Sequence, residues 1–262
     1  MPLRITTLLI ACALLGNGSA LAHFQTLIPS TDIVERPDQQ QLTLDLRFTH
    51  PMSQGPAMEM APPTRFGVQL ANGEQQDLLS NLNTYRVDGH TAYNSTLPIR
   101  RPGDHLFYLQ PAPYWEASEG VMIIHYTKVV VDAYAGESGW EQQVGFPVEI
   151  EPLTRPYGLW QGNLFTGVVR KNGQPVPFAT VEVEWLNNGS VQASTDAFVT
   201  QQLKADANGT FSYSMPFAGW WGFAALIEAD EQLPGPNAQP VPVEEGGLIW
   251  VHARPLPTIE QP

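Results

Sequence analysis

Apolar and polar side chains alternate along much of this chain. In Gln41-Leu42-Thr43-Leu44-Asp45-Leu46-Arg47-Phe48, a period of two puts Leu42, Leu44, Leu46 and Phe48 on one face of an extended strand that ends at His50-Pro51. Runs at 66–70, 105–109, 121–131 and 144–150 read the same way, with Asn72-Gly73 and Pro102-Gly103 as turns between them. A second series, 166–170, 179–185, 209–213 and 222–226, follows Glu151-Pro152-Leu153-Thr154-Arg155-Pro156, where two prolines turn the chain. The pattern predicts an all-β protein of two antiparallel β-sandwich units, Ig-like or transthyretin-like, over 23–152 and 153–255, with a tail at 256–262. Composition agrees, because 24 Pro and 22 Gly interrupt the sequence too often for long helices.

The first 22 residues break the pattern. Arg4 is followed by an apolar run and then by Ala20-Leu21-Ala22, the layout of a secretory signal peptide, so a periplasmic protein is expected. Leu9-Ile10-Ala11-Cys12 loosely matches a lipoprotein box, but cleavage there would leave a very short apolar region. No later window offers the roughly 20 apolar residues of a spanning helix, so no direct membrane span is expected. Cys12 is the only cysteine and leaves with the leader, which removes disulfides and thiolate metal sites from the exported chain. The formal charge of −13 repels nucleic acid and suits a cationic partner.

Cleavage after Ala22 makes His23 the first residue. A terminal histidine can close a six-membered chelate on one metal ion with its α-amine and ring Nδ1. Both groups must be unprotonated, and with reference values near 6.5 and about 7.7–8.0, binding should fail below about pH 6. Such nitrogen donors suit Ni(II), Cu(II), Co(II) or Zn(II). His50, at the end of a strand and on the face of Phe48, is a second ligand candidate. His105 and His125 lie in neighbouring strands that could face each other, so both join the candidate set. His90 reads as a turn residue and His252 as a packed strand residue. Met52, Met58 and Met60 follow His50 in a Pro- and Gly-interrupted loop; thioethers there would favour Cu(I), whereas ordinary packing would fold them onto the sandwich. Trp220-Trp221 and its neighbours read as core. Asp206-Ala207-Asn208-Gly209 resembles the start of a calcium loop, but Phe217 stands where a bidentate Glu is needed, so it reads as a hairpin turn. There is no His-Glu-x-x-His, Gly-x-Ser-x-Gly or phosphate loop, and a binding protein rather than an enzyme is expected.

Residues 167–181 together with Asp206-Ala207-Asn208-Gly209-Thr210-Phe211 resemble carboxypeptidase-regulatory or transthyretin-like modules. On a larger scale, Ala22-His23-Phe24-Gln25-Thr26-Leu27-Ile28-Pro29, Leu46-Arg47-Phe48-Thr49-His50-Pro51, the run His125-Tyr126-Thr127-Lys128-Val129-Val130-Val131-Asp132, the stretch from Pro147 to Tyr157 and Ala218-Gly219-Trp220-Trp221-Gly222-Phe223 resemble the bacterial periplasmic nickel-uptake accessory family, associated with nickel/cobalt importers of the energy-coupling-factor type. That resemblance implies a protein that binds Ni(II), or Co(II), and presents it to a membrane-bound nickel/cobalt importer, with His23 matching the family's exposed terminal histidine. Three rivals remain at this point: a copper-trafficking protein, favoured by the methionine loop, a terminal-histidine copper monooxygenase, for which no substrate platform is evident, and a purely structural adhesin module, which would hold no metal.

Overall fold

The computed structural model describes residues 23–257. The leader expected over 1–22, with Arg4 and Cys12, and residues 258–262 lie outside the described residues. Within them the chain is all β, with three short 3-10 turns and no α-helix. No helix among the described residues is long and apolar enough to cross a membrane.

One eleven-stranded sheet runs through both units. Its path is Gln201–Lys204, Thr180–Trp185, Gly219–Glu228, Val243–Arg254, Val121–Ala133, Gly103–Gln110, Arg65–Leu70 and Gln75–Asp77, with three short strands paired at its side. The join is a parallel ladder in which Met122 faces Val243 and Val129 faces Trp250. Two four-stranded sheets cover it: Ile28–Pro29, Gln41–Leu46, His90–Pro98 and Asn83–Val87 form one, and Val148–Pro152, Leu164–Lys171, Gln174–Pro175 and Thr210–Ser214 form the other.

Alternation decides which face each cover takes. Leu248 and Trp250 pack with Leu42, Leu44, Leu46, Phe107 and Val129 beneath the first cover, whereas Ile249 and Val251 pack with Phe165, Val181 and Phe223 beneath the second. Successive side chains on a strand point to opposite faces, so the two covers lie on opposite sides of one shared sheet. The division expected after 152 falls between two hydrogen-bonded strands, since Val148–Pro152 pairs with Leu164–Lys171.

Close approach at the join depends on missing side chains. A Cβ on Gly247 would lie 2.9 Å from the Val148 carbonyl, and one on Gly246 would lie 2.4 Å from His125 Cδ2. The expected turns at Asn72-Gly73 and Pro102-Gly103 form with left-handed glycines, where the Gly73 and Gly103 φ angles are 83° and 111°. Asp206 closes its turn by accepting from the backbone N–H of Asn208 and Thr210.

Candidate functional site

The N-terminal strand Phe24–Gln25 pairs antiparallel with Phe48–Thr49, so that Phe24 faces Thr49 and Gln25 faces Phe48. Continued by one residue, this register sets His23 against His50. Their ring centroids are 4.6 Å apart. The short strand is held from behind by the Trp250 indole N–H, which donates to the Gln25 carbonyl at 2.9 Å. Gly222 makes room for that anchor, because a Cβ there would sit 2.9 Å from the Trp250 ring and 3.0 Å from Phe24.

His23 packs on Phe48 at 5.6 Å and near Tyr114 at 6.0 Å, and its Nε2 lies 3.1 Å from Glu116 Oε2. Burial, aided by the neighbouring His50, pushes the His23 ring down to about 4, so it is neutral at ordinary pH. Burial raises Glu116, but the backbone and hydroxyl of Ser118 donate to it, and with His23 and His50 nearby it ends below the usual carboxylate range. The carboxylate is therefore charged and its neighbour is a neutral imidazole. An ionised carboxylate only accepts, so its charge 3.1 Å from Nε2 favours the tautomer with the proton on Nε2 and the lone pair on Nδ1.

His50 lies beneath a tight loop. A Cβ on Gly55 would stand 2.9 Å from His50 Cδ2, so only glycine lets the loop close over this ring. The loop is then tied to the second unit: the backbone N–H of Met52 donates to Glu184 at 3.0 Å, and the Asn187 amide donates to the Met52 carbonyl at 3.0 Å. The methionines divide accordingly. Met52 enters the second core, Met58 bonds through its backbone to Phe48, and Met60 is buried with its sulfur 3.7 Å from Gln25 Nε2.

His125 is 2% exposed. Its ring meets Phe48 at 5.8 Å, so Phe48 contacts both His23 and His125. Neither ring nitrogen makes a hydrogen bond, and Nε2 lies 3.8 Å from Glu244 Oε1. His105 is not part of this cluster. The register of Gly103–Gln110 on Val121–Ala133 pairs His105 with Val131, six residues beyond His125, a separation of about 20 Å along the strand; its Nδ1 instead approaches the Gly103 carbonyl at 3.0 Å. His90 begins a strand rather than sitting in the turn, beside Glu59. His252 stacks on Trp220 and contacts Asp32.

Glu116 was not among the site residues expected from the sequence. Its one local signal was an acceptor two residues before Ser118, the spacing of a self-capped turn. Among the described residues, no three His, Cys, Asp or Glu side chains form a group able to hold a metal ion by themselves.

A family model described as a domain of unknown function, DUF4198, matches residues 20–229. The chain belongs to the DUF4198 family. The match takes in His23, His50, Glu116 and His125 and stops before the Val243–Arg254 strand. No curated protein matches the chain. Among solved structures, the adhesin InvE of Yersinia pseudotuberculosis is 14% identical, with 87% of this chain and 58% of that one covered and a TM-score of 0.25. A two-domain fibronectin type III segment of chicken tenascin is 11% identical over 87% of this chain and 98% of that one, with a TM-score of 0.22. The chain thus spans less than two thirds of the InvE structure.

Proposed function

We propose that the exported DUF4198 chain begins at His23 and binds one first-row transition ion, Ni(II) or Co(II), for delivery to a membrane importer. The ligands are the α-amine and Nδ1 of His23 together with the ring of His50. Glu116 supports this reading most: its carboxylate, 3.1 Å from His23 Nε2, favours the proton on that nitrogen and the lone pair on Nδ1, the nitrogen that can share an ion with the amine. Carboxylate, imidazole and metal form a familiar chain in which the outer acid fixes the tautomer and raises ligand basicity.

The terminal amine supplies the third donor that the side chains alone lack. The ions named accept nitrogen donors, and the acidic surface attracts cations over diffusional distances. The importer as recipient rests on the resemblance drawn from the sequence. Cu(II) is the second reading, favoured by an all-nitrogen donor set. The burial of Met52 in the second core takes one thioether away from a Cu(I) site.

Equilibrium dialysis of the exported chain, its first residue verified by mass spectrometry, against equal Ni(II), Co(II), Cu(II) and Zn(II) tests this. One ion per chain is expected, and one extra residue before His23 should abolish retention. Equal retention by the extended chain would overturn the chelate, and retention of copper alone would replace nickel with the second reading.

A further inference from the structure

At the His105 end of the first core lies a cleft of about 310 Å³ that shares no residue with the proposed metal ligands. Val68, Leu70, Leu97 and Phe107 give it apolar walls, and Arg100 and Arg101 also line it. We propose that this cleft binds a small single-chain carboxylate, with its short apolar tail against the walls and its head held by Arg100 and Arg101.

Charge selects the occupant. The chain carries 26 Asp and Glu against 13 Lys and Arg, yet among the described residues no carboxylate lines this cleft. The cleft beside His50 is lined by Asp45 and Asp88, and the groove beside Phe48 by Glu59. Arg100 is exposed and has no ion-pair partner among the described residues. Arg101 reaches Glu74 at 3.9 Å, with the two side chains 69% and 48% exposed, and a pair so long and so wet is worth little, so it yields to a better acceptor. A carboxylate is that acceptor, because the planar guanidinium can donate two parallel hydrogen bonds to it. The acidic groups elsewhere on the chain do not prevent this, since charges beyond about 10 Å are screened at 0.1 M salt.

The walls require a tail behind that head. Val68, Leu97 and Phe107 are buried in the first core, while Leu70 packs against it and still meets solvent. Covering the remaining apolar surface is favourable, by about four-fold in affinity for each CH2 group withdrawn from water. The volume is near the lower bound for ligand sites, which limits the tail to a short chain. His105 lines the cleft too, stacked on Phe107 at 6.4 Å with its Nδ1 3.0 Å from the Gly103 carbonyl. Burial, with Arg101 nearby, holds the His105 ring below its ordinary value, so it is neutral at ordinary pH and the arginines alone supply the charge.

The test is an NMR titration of the isotopically labelled, full exported chain after dialysis has removed any metal. Hexanoate should shift the backbone signals of Leu70, Leu97 and Arg101 and saturate at one per chain. Acetate, which has the same head and four fewer carbons, should bind at least about ten-fold more weakly. Hexan-1-ol and hexylammonium, which keep the tail without the negative charge, should bind more weakly than hexanoate. Both arginines are exposed, so the double variant Arg100→Gln, Arg101→Gln should fold; it should weaken hexanoate several-fold and leave hexan-1-ol unchanged. Lys204→Gln, which removes an exposed positive charge from an edge strand of the second unit, should leave hexanoate unchanged. Equal affinity for acetate and hexanoate, equal affinity for hexan-1-ol and hexanoate, shifts that avoid the cleft, or the same loss in the Lys204 variant as in the double variant overturns the proposal.

Discussion

The two ends of the Val243–Arg254 strand each bring a histidine against a carboxylate, with opposite charge balance. At the far end, Asp32 is 1% exposed and takes His252 at 3.2 Å and Arg254 at 2.6 Å, while Trp220 stacks on the imidazole at 4.7 Å. Burial raises Asp32, yet the His252 and Arg254 hydrogen bonds overcome this and hold it below its ordinary value. That acid has a permanent cation. At the near end, Glu116 has His23 and two Ser118 donors, and among the described residues no Lys or Arg pairs with Glu116 or Glu244. A buried carboxylate requires a compensating partner. One end has built it into the sequence; at the other, the proposed ion would supply it.

The largest separation of the two ends should come from removing each histidine. His50→Ala takes away a proposed ligand and should lower Ni(II) retention by more than the roughly 10- to 100-fold that loss of an outer partner costs, measured by competition with a chromogenic chelator. His252→Ala should leave retention unchanged. If the two variants behaved alike, the distinction between the ends would collapse. Glu116→Gln comes next, with an expected loss of about 10- to 100-fold, because the tautomer of His23 is then no longer imposed. Asp32→Asn should not alter metal retention, but it strips Arg254 of its charge partner and should lower unfolding free energy by about 2 kcal/mol in a urea titration. Arg254 is 37% exposed on its side chain, which keeps that loss below the cost of breaking a fully buried pair.

Much of the near end was legible in the sequence. Alternation through Leu42, Leu44, Leu46 and Phe48 gave a strand whose core face the structure reproduces, each residue 5% exposed or less. That strand end, facing a short N-terminal strand, brought His50 to His23. His105 was misplaced because facing strands do not announce their offset. The segment Pro111-Ala112-Pro113 and the strand Tyr114–Glu116 intervene, and Tyr114 takes the partner position opposite Ile123. His105 slides to Val131 as a result. The shared sheet was invisible for a different reason: its parallel ladder joins residues more than a hundred positions apart, and nothing local in Met122 or Val243 specifies the other. Glu116 was hidden because its role depends on which residue folds over it.

Glu184 provides a third case, a buried acid with neither an arginine nor a metal-binding histidine beside it. It is 1% exposed and accepts from the Met52 backbone at 3.0 Å and from the Thr200 hydroxyl at 2.5 Å. Burial raises it to about 7, against an ordinary 4.5, and the two hydrogen bonds only partly offset the desolvation. This carboxyl is compensated by a proton. Between pH 4.5 and 7 the folded chain holds a proton that the unfolded chain has released, so this group's contribution to stability is full below 4.5 and falls as pH rises through about 7. The slope is at most about 1.4 kcal/mol per pH unit. Glu184→Gln keeps both bonds, with the amide oxygen facing the Met52 N–H and the amide nitrogen donating to the Thr200 oxygen, and cannot ionise. Urea midpoints taken at pH 5, 6, 7 and 8 should therefore converge at pH 5 and separate in favour of the variant by pH 8. Parallel curves for the two proteins would mean that the acid stays charged in the fold, and that the seam between the His50 loop and the second unit tolerates a bare carboxylate as the far end of the strand does not.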